Sequence, residues 1–101
     1  MTSYNKLVRD KIPEILDKKG ISYEQRIASE DEYKSELIRK IQEEVQEFAE
    51  EESIEELADI LEVLEALKGI PGYEDVENIR IKKREERGGF NERIILRGEK
   101  G

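Results

Sequence analysis

The chain is 101 residues long, 44% charged and 36% hydrophobic, with 26 acidic residues against 18 basic ones and a net charge of −8. That length predicts a single domain over residues 1–101 with a thin core, and the acidic balance argues against a binder of nucleic-acid polymers, whose phosphate contacts need clustered Lys and Arg. Cysteine and histidine are both absent, which excludes disulfides, zinc–thiolate sites, thiol nucleophiles and Ser-His triads and leaves carboxylates, Lys, Arg, Tyr or a metal to do any chemistry.

Lys11 to Lys19 predicts a short helix with Pro13 in its first turn, an apolar stripe of Ile12, Ile15 and Leu16, and Gly20 as its stop. Ile21 to Ala28 alternates roughly by two and predicts a short strand. Ser29 reads as the cap of the next helix, with Glu30, Asp31 and Glu32 favourable at its positive end and Leu37, Ile38, Ile41, Val45 and Phe48 as its core stripe. The acidic run Glu50-Glu51-Glu52 marks a turn, and Ser53 with Glu56 three residues on forms a capping-box pattern.

Ile54 to Lys68 follows as a helix with Ile54, Leu57, Ile60, Leu61, Leu64 and Leu67 expected inside, ended by Gly69-Ile70-Pro71-Gly72. A last helix, Glu74 to Arg87, has Val76 and Ile79 inward, turns basic at Lys82-Lys83-Arg84, and breaks at Gly88-Gly89. Phe90 to Leu96 predicts a strand that pairs with Ile21 to Ala28. The expected fold is mainly α, about four helices with one small two-stranded β element. Its thin core points to an oligomer joined through helix faces. No apolar run approaches a membrane span or a signal segment, which predicts a cytoplasmic protein with no membrane partner.

Two helices each carry a pair of carboxylates three residues apart, Glu44 with Glu47 and Glu56 with Asp59. Three residues turn a helix by about 300°, so each pair sits about 60° apart on one side. Packed antiparallel, the helices bring four hard oxygen donors together, and such a cage suits Mg²⁺ or Mn²⁺. The competing reading is solvated surface in a Glu-rich chain, with Glu56 occupied as a cap. Asp59 in mid-helix and Glu44 beside the core stripe favour the cage.

Lys83 and Arg87 share a helix face ahead of Gly88-Gly89-Phe90. They read either as a phosphate clamp or as the basic bias that complements a helix C-terminus. Phe90 reads either as a surface for a base or as core. Asn5, Lys6, Arg9 and Lys11 make a second basic group, either a ligand site or a solvated terminus.

The pattern Glu43-Glu44-Val45-Gln46-Glu47 followed by Glu56-Leu57-Ala58-Asp59 resembles the signature of the all-α nucleoside triphosphate pyrophosphatases. That superfamily includes MazG, the dimeric dUTPases and phosphoribosyl-ATP pyrophosphohydrolase. The flanks, Tyr4-Asn5-Lys6-Leu7-Val8-Arg9-Asp10-Lys11-Ile12-Pro13 and Glu86-Arg87-Gly88-Gly89-Phe90, resemble its small single-domain MazG-related branch, often labelled phosphoribosyl-ATP pyrophosphohydrolase-like. The link between the two acidic motifs is shorter than is usual in MazG proper. The resemblance implies a four-helix MazG-like bundle assembled as a homodimer or homotetramer. It implies Mg²⁺ ligation by Glu44, Glu47, Glu56 and Asp59, with Glu43, Glu44 and Glu47 as catalytic carboxylates. Lys6, Arg9, Lys83 and Arg87 would hold the phosphates of a nucleoside triphosphate. The implied reaction is hydrolysis between the α and β phosphates to a nucleoside monophosphate and pyrophosphate, as in the house-cleaning of non-canonical nucleotides. Two alternatives stand beside it: a phosphoribosyl-ATP pyrophosphohydrolase of histidine synthesis, and a non-enzymatic acidic helical interaction module.

Overall fold

The computed structural model describes residues 5–99, so Tyr4, at the head of the N-terminal motif, lies outside the described residues. Four helices form, and their ends fall where the local chemistry favours them. The first, α1 (Ile12–Lys18), carries Pro13 in its first turn, where a missing N–H breaks no bond. Gly20 takes φ +69°, and the Gly20 and Ile21 amides reach back to the Asp17 and Leu16 carbonyls at 3.1 and 3.0 Å. This reciprocal pair is how a left-handed glycine satisfies the last carbonyls of a helix.

The long helix α2 (Glu30–Glu51) begins at Ser29, whose hydroxyl accepts the Glu32 amide at 3.2 Å. It runs on through Glu50 and Glu51, into the acidic run expected to form the turn, and stops at Glu52 in a left-handed conformation of φ +52°. Ser53 then caps α3 (Ile54–Lys68). Only Glu52 and Ser53 separate the two helices, so α2 and α3 fold back on each other as an antiparallel hairpin. Theirs is the extensive helix–helix contact among the described residues.

Beyond α3 the Tyr73 amide bonds the Ile70 carbonyl at 2.9 Å across Pro71 and Gly72, the latter at φ +97°. Proline second and a positive-φ glycine third are what that reverse turn requires. The Glu74 carboxylate accepts the Gly72 amide at 2.9 Å, so Glu74 serves the turn, and α4 (Val76–Arg87) starts two residues later than expected. Lys68 ties the end of α3 to α4 through Glu77 at 3.2 Å.

The core is small: Leu37 of α2, Val63 of α3 and Ile70 are buried, with Leu7, Ile41, Ala66 and Leu67 packed against them. Leu7 anchors the N-terminal segment to the hairpin. On α3 the inward stripe is Glu56, Asp59, Ile60, Val63 and Leu67, which recur every three or four residues. The expected stripe therefore needs correcting. Ile54, Leu57, Leu61 and Leu64 lie on the other side of α3 and are exposed, as are Val76 and Ile79 on α4.

Two further expectations need correction. No strand forms among the described residues, either at Ile21 to Ala28 or at Phe90 to Leu96. Side chains hold the first segment instead. Tyr23 donates to Asp17 at 2.8 Å, and Arg26 grips Glu32 through two bonds of 2.6 Å. Ile27, at 93% exposure, and the exposed Ile94, Ile95 and Leu96 have no layer to cover, and an uncovered two-stranded ribbon is marginal in water. Nor do the four helices close a bundle within one chain. The radius of gyration is 18.2 Å, against about 13 Å for a compact domain of this length.

Candidate functional site

The core fills the open end of the hairpin, and the carboxylates occupy the end near the Glu52–Ser53 link. Glu44 stands on the same face of α2 as Leu37, Ile41 and Phe48, so packing α2 against α3 turns it toward Glu56 and Asp59. One carboxylate oxygen from each of Glu44, Glu56 and Asp59 lies within 4.8 Å of the others, and all three residues are half-buried.

Glu56 has two competing uses at this point. Its backbone amide donates to the Ser53 hydroxyl at 3.2 Å, as an N-terminal cap requires. Its side chain does not complete the box by returning to the Ser53 amide. It turns into the cluster, where Glu56 Oε2 and Glu44 Oε2 are shielded from water and have no hydrogen-bond partner. These two are the orphaned buried side-chain atoms among the described residues. A carboxylate oxygen left this way costs free energy that a donor or a cation would recover.

The electrostatics record the crowding. Burial, and then the neighbouring Glu47 carboxylate, push the Glu56 carboxyl up to about 7. Glu44 and Glu51 add to the shift. Burial, followed by the charges of Glu47 and Asp59, also raises Glu44, while its neighbours Glu56 and Lys40 pull it back. Asp59 is answered differently: Arg9 Nη2 donates to its Oδ1 at 2.7 Å from 50 residues away. The cluster thus raises the affinity of Glu56 for a proton and draws a guanidinium to Asp59.

The remaining predicted residues fall into two groups. Glu47 is exposed at the rim, outside the close triad but near enough to act on both Glu44 and Glu56. Lys6 is exposed on the N-terminal segment that carries Arg9. Glu43 stands apart, facing Arg39 at 3.6 Å across a shallow surface hollow lined also by Gln42, Gln46 and Glu47. Lys83 and Arg87 lie exposed on α4, and no ion pair joins either to a carboxylate among the described residues. Phe90 is 97% exposed, so it is not core. Sequence reasoning missed Lys40, although a lysine four residues before Glu44 on one helix face was a readable signal.

The donor set fits a hard divalent cation: three carboxylates on two rigid helices, a fourth at the rim, two oxygens lacking partners, and no sulfur or imidazole. No family model, curated protein or solved structure matches the chain. Among the described residues no helix is long and apolar enough to cross a membrane.

Proposed function

We propose that the chain is a Mg²⁺- or Mn²⁺-dependent nucleoside triphosphate pyrophosphohydrolase that cleaves between the α and β phosphates to release pyrophosphate. The observation that carries the reading is the pair of shielded, partnerless oxygens of Glu44 and Glu56 beside Asp59. Glu44, Glu56 and Asp59 would hold the ion, with Glu47 completing the set from the rim. When bound, such an ion supplies counter-charge for the triphosphate and acidifies an attacking water. Glu47, exposed and without an ion pair among the described residues, accepts the proton of that water at a carboxylate oxygen, in a chain that has no histidine for the task. Glu43, held by Arg39, orients the water from the outer side. Lys6 and Arg9 bind phosphate from the N-terminal segment.

The active form on this reading is a homodimer or a homotetramer. Ile38 and Val45 lie about 70–90° round α2 from its contact stripe, Leu57 and Leu64 lie about 85–105° round α3 in the same sense, and Leu61 lies further round at about 145°. In an antiparallel pair, equal offsets of this kind open on the same broad face of the hairpin. All five side chains are exposed there, and a second copy of the hairpin is the partner that buries them. Lys83 and Arg87 serve as phosphate ligands once α4 docks in that assembly.

A panel of nucleoside triphosphates, canonical and modified, with phosphoribosyl-ATP included, incubated with Mg²⁺ and assayed for pyrophosphate tests the activity. Pyrophosphate release that EDTA abolishes is the expected result. The exposed apolar face also suits a non-enzymatic interaction module. Absence of both saturable Mg²⁺ binding and pyrophosphate release across the panel would favour that module and end the enzymatic reading.

A further inference from the structure

We infer that Arg9 is a displaceable internal cation of the carboxylate cluster, paired with Asp59 until a divalent ion enters and then turned onto the phosphates of the substrate. The inference rests on the reading of the cluster as a metal site and concerns how that site is regulated. Three features of the pair support it. The contact is a single bond, Nη2 to Oδ1 at 2.7 Å, and not the two-pronged grip that a guanidinium makes when it is built in permanently. Arg26 makes that grip on Glu32 in the same chain. Both partners are open to solvent, the Arg9 side chain at 57% and that of Asp59 at 39%, so water readily replaces either one.

The third feature is stoichiometric. One guanidinium engages one carboxylate, while Oε2 of Glu44 and Oε2 of Glu56 have no donor. A divalent ion touching all three answers more charge than Arg9 does, and two cations on one aspartate repel. Arg9 therefore yields. It does not go far, because Leu7, two residues earlier, is packed on the core and holds the backbone beside the cluster. A freed guanidinium tethered at the mouth of a metal site is placed to pair with a phosphate oxygen.

The test is calorimetric titration of wild type, Arg9→Gln and Arg9→Lys with Mg²⁺ alone, then of each Mg²⁺-loaded protein with inorganic pyrophosphate. Removing the competitor should tighten Mg²⁺ binding by up to about fivefold in Arg9→Gln. Losing the phosphate ligand should weaken pyrophosphate binding by about tenfold or more. Arg9→Lys should fall between wild type and Arg9→Gln on both measures. Saturable Mg²⁺ uptake that Arg9→Gln leaves unchanged or weakens would overturn this inference alone, as would unchanged pyrophosphate affinity. A wild type that takes up no Mg²⁺ would overturn the metal reading as well.

Discussion

Glu56 is where the competing demands of this chain meet. Its position, three residues after Ser53, offers it a capping role, yet its side chain goes to a place where burial and three neighbouring carboxylates oppose its charge. The consequence for stability has a definite sign. A carboxyl that binds its proton more tightly in the folded state than in the unfolded one destabilises the fold as it ionises. Stability should therefore fall as pH rises from the ordinary glutamate value of 4.5 to about 7, with Glu44 acting in the same direction. The carboxylates with lowered values, Glu32, Glu74 and Glu77, lose their contributions below that window and do not blur it. Thermal melts in EDTA should show a declining Tm across this range in wild type and a flatter one in Glu56→Gln, which should be the more heat-stable protein at pH 8. A wild-type Tm that climbs through the window would contradict the shielding of these oxygens. At the same scale, Glu47→Gln and Asp59→Asn should each lower turnover by about a hundredfold or more while circular dichroism shows the helices retained. Near-normal rates in both variants would remove them from the chemistry.

At the scale of the elements, the hairpin depends on a two-residue link that joins helix ends of unequal quality. Ser53 is a good start for α3, and Ser53→Ala should cost about 1 kcal/mol in urea denaturation. Glu52 is a poor end for α2. It holds a left-handed conformation that glycine adopts more easily, and its charge adds to those of Glu50 and Glu51 at the negative end of the helix dipole. Glu52→Gly should raise stability by about 1 kcal/mol, and a loss would mean that the side chain has a partner in the working assembly. The helix ends at Ser29, Ser53, Gly20 and the Pro71-Gly72 turn were legible from the sequence because each rests on one residue's backbone chemistry. The stripes of α3 were not, because the helix has apolar residues on two sides. Leu57, Leu61 and Leu64 outnumber Ile60 and Val63, and periodicity cannot say which set meets α2. The half-buried acids resolve it: Glu56 and Asp59 share the side of Val63. Of the site, the carboxylates were legible through their spacing. The bond from Arg9 to Asp59 was not, because nothing local connects residues 50 positions apart.

At the scale of the whole molecule, three buried side chains among the described residues are few, and the described structure extends 56 Å in its longest dimension. Small domains bury too little surface to be secure alone, so the exposed apolar face of the hairpin is a source of stability left unused. Ile38, Val45, Leu57, Leu61 and Leu64 from two copies make about ten half-exposed side chains, each gaining about 1 kcal/mol when covered, or roughly 10 kcal/mol in all. One unpaired charge buried in the middle of that face goes unanswered, so a single such substitution should break the association. Leu61, 57% exposed and one turn from both Leu57 and Leu64 along α3, is the position to change. Wild type should sediment as a dimer or larger species at micromolar concentration and Leu61→Glu as a monomer. The variant should also lose heat stability, because each hairpin depends on the other to cover it. Glu62→Lys, one residue along and outside that stripe, should leave the mass unchanged. If wild type sediments as a monomer, a second copy does not cover this face, and the route by which Lys83 and Arg87 reach a substrate falls with it. The cluster of Glu44, Glu56 and Asp59 would survive that result, since its oxygens converge within a single chain.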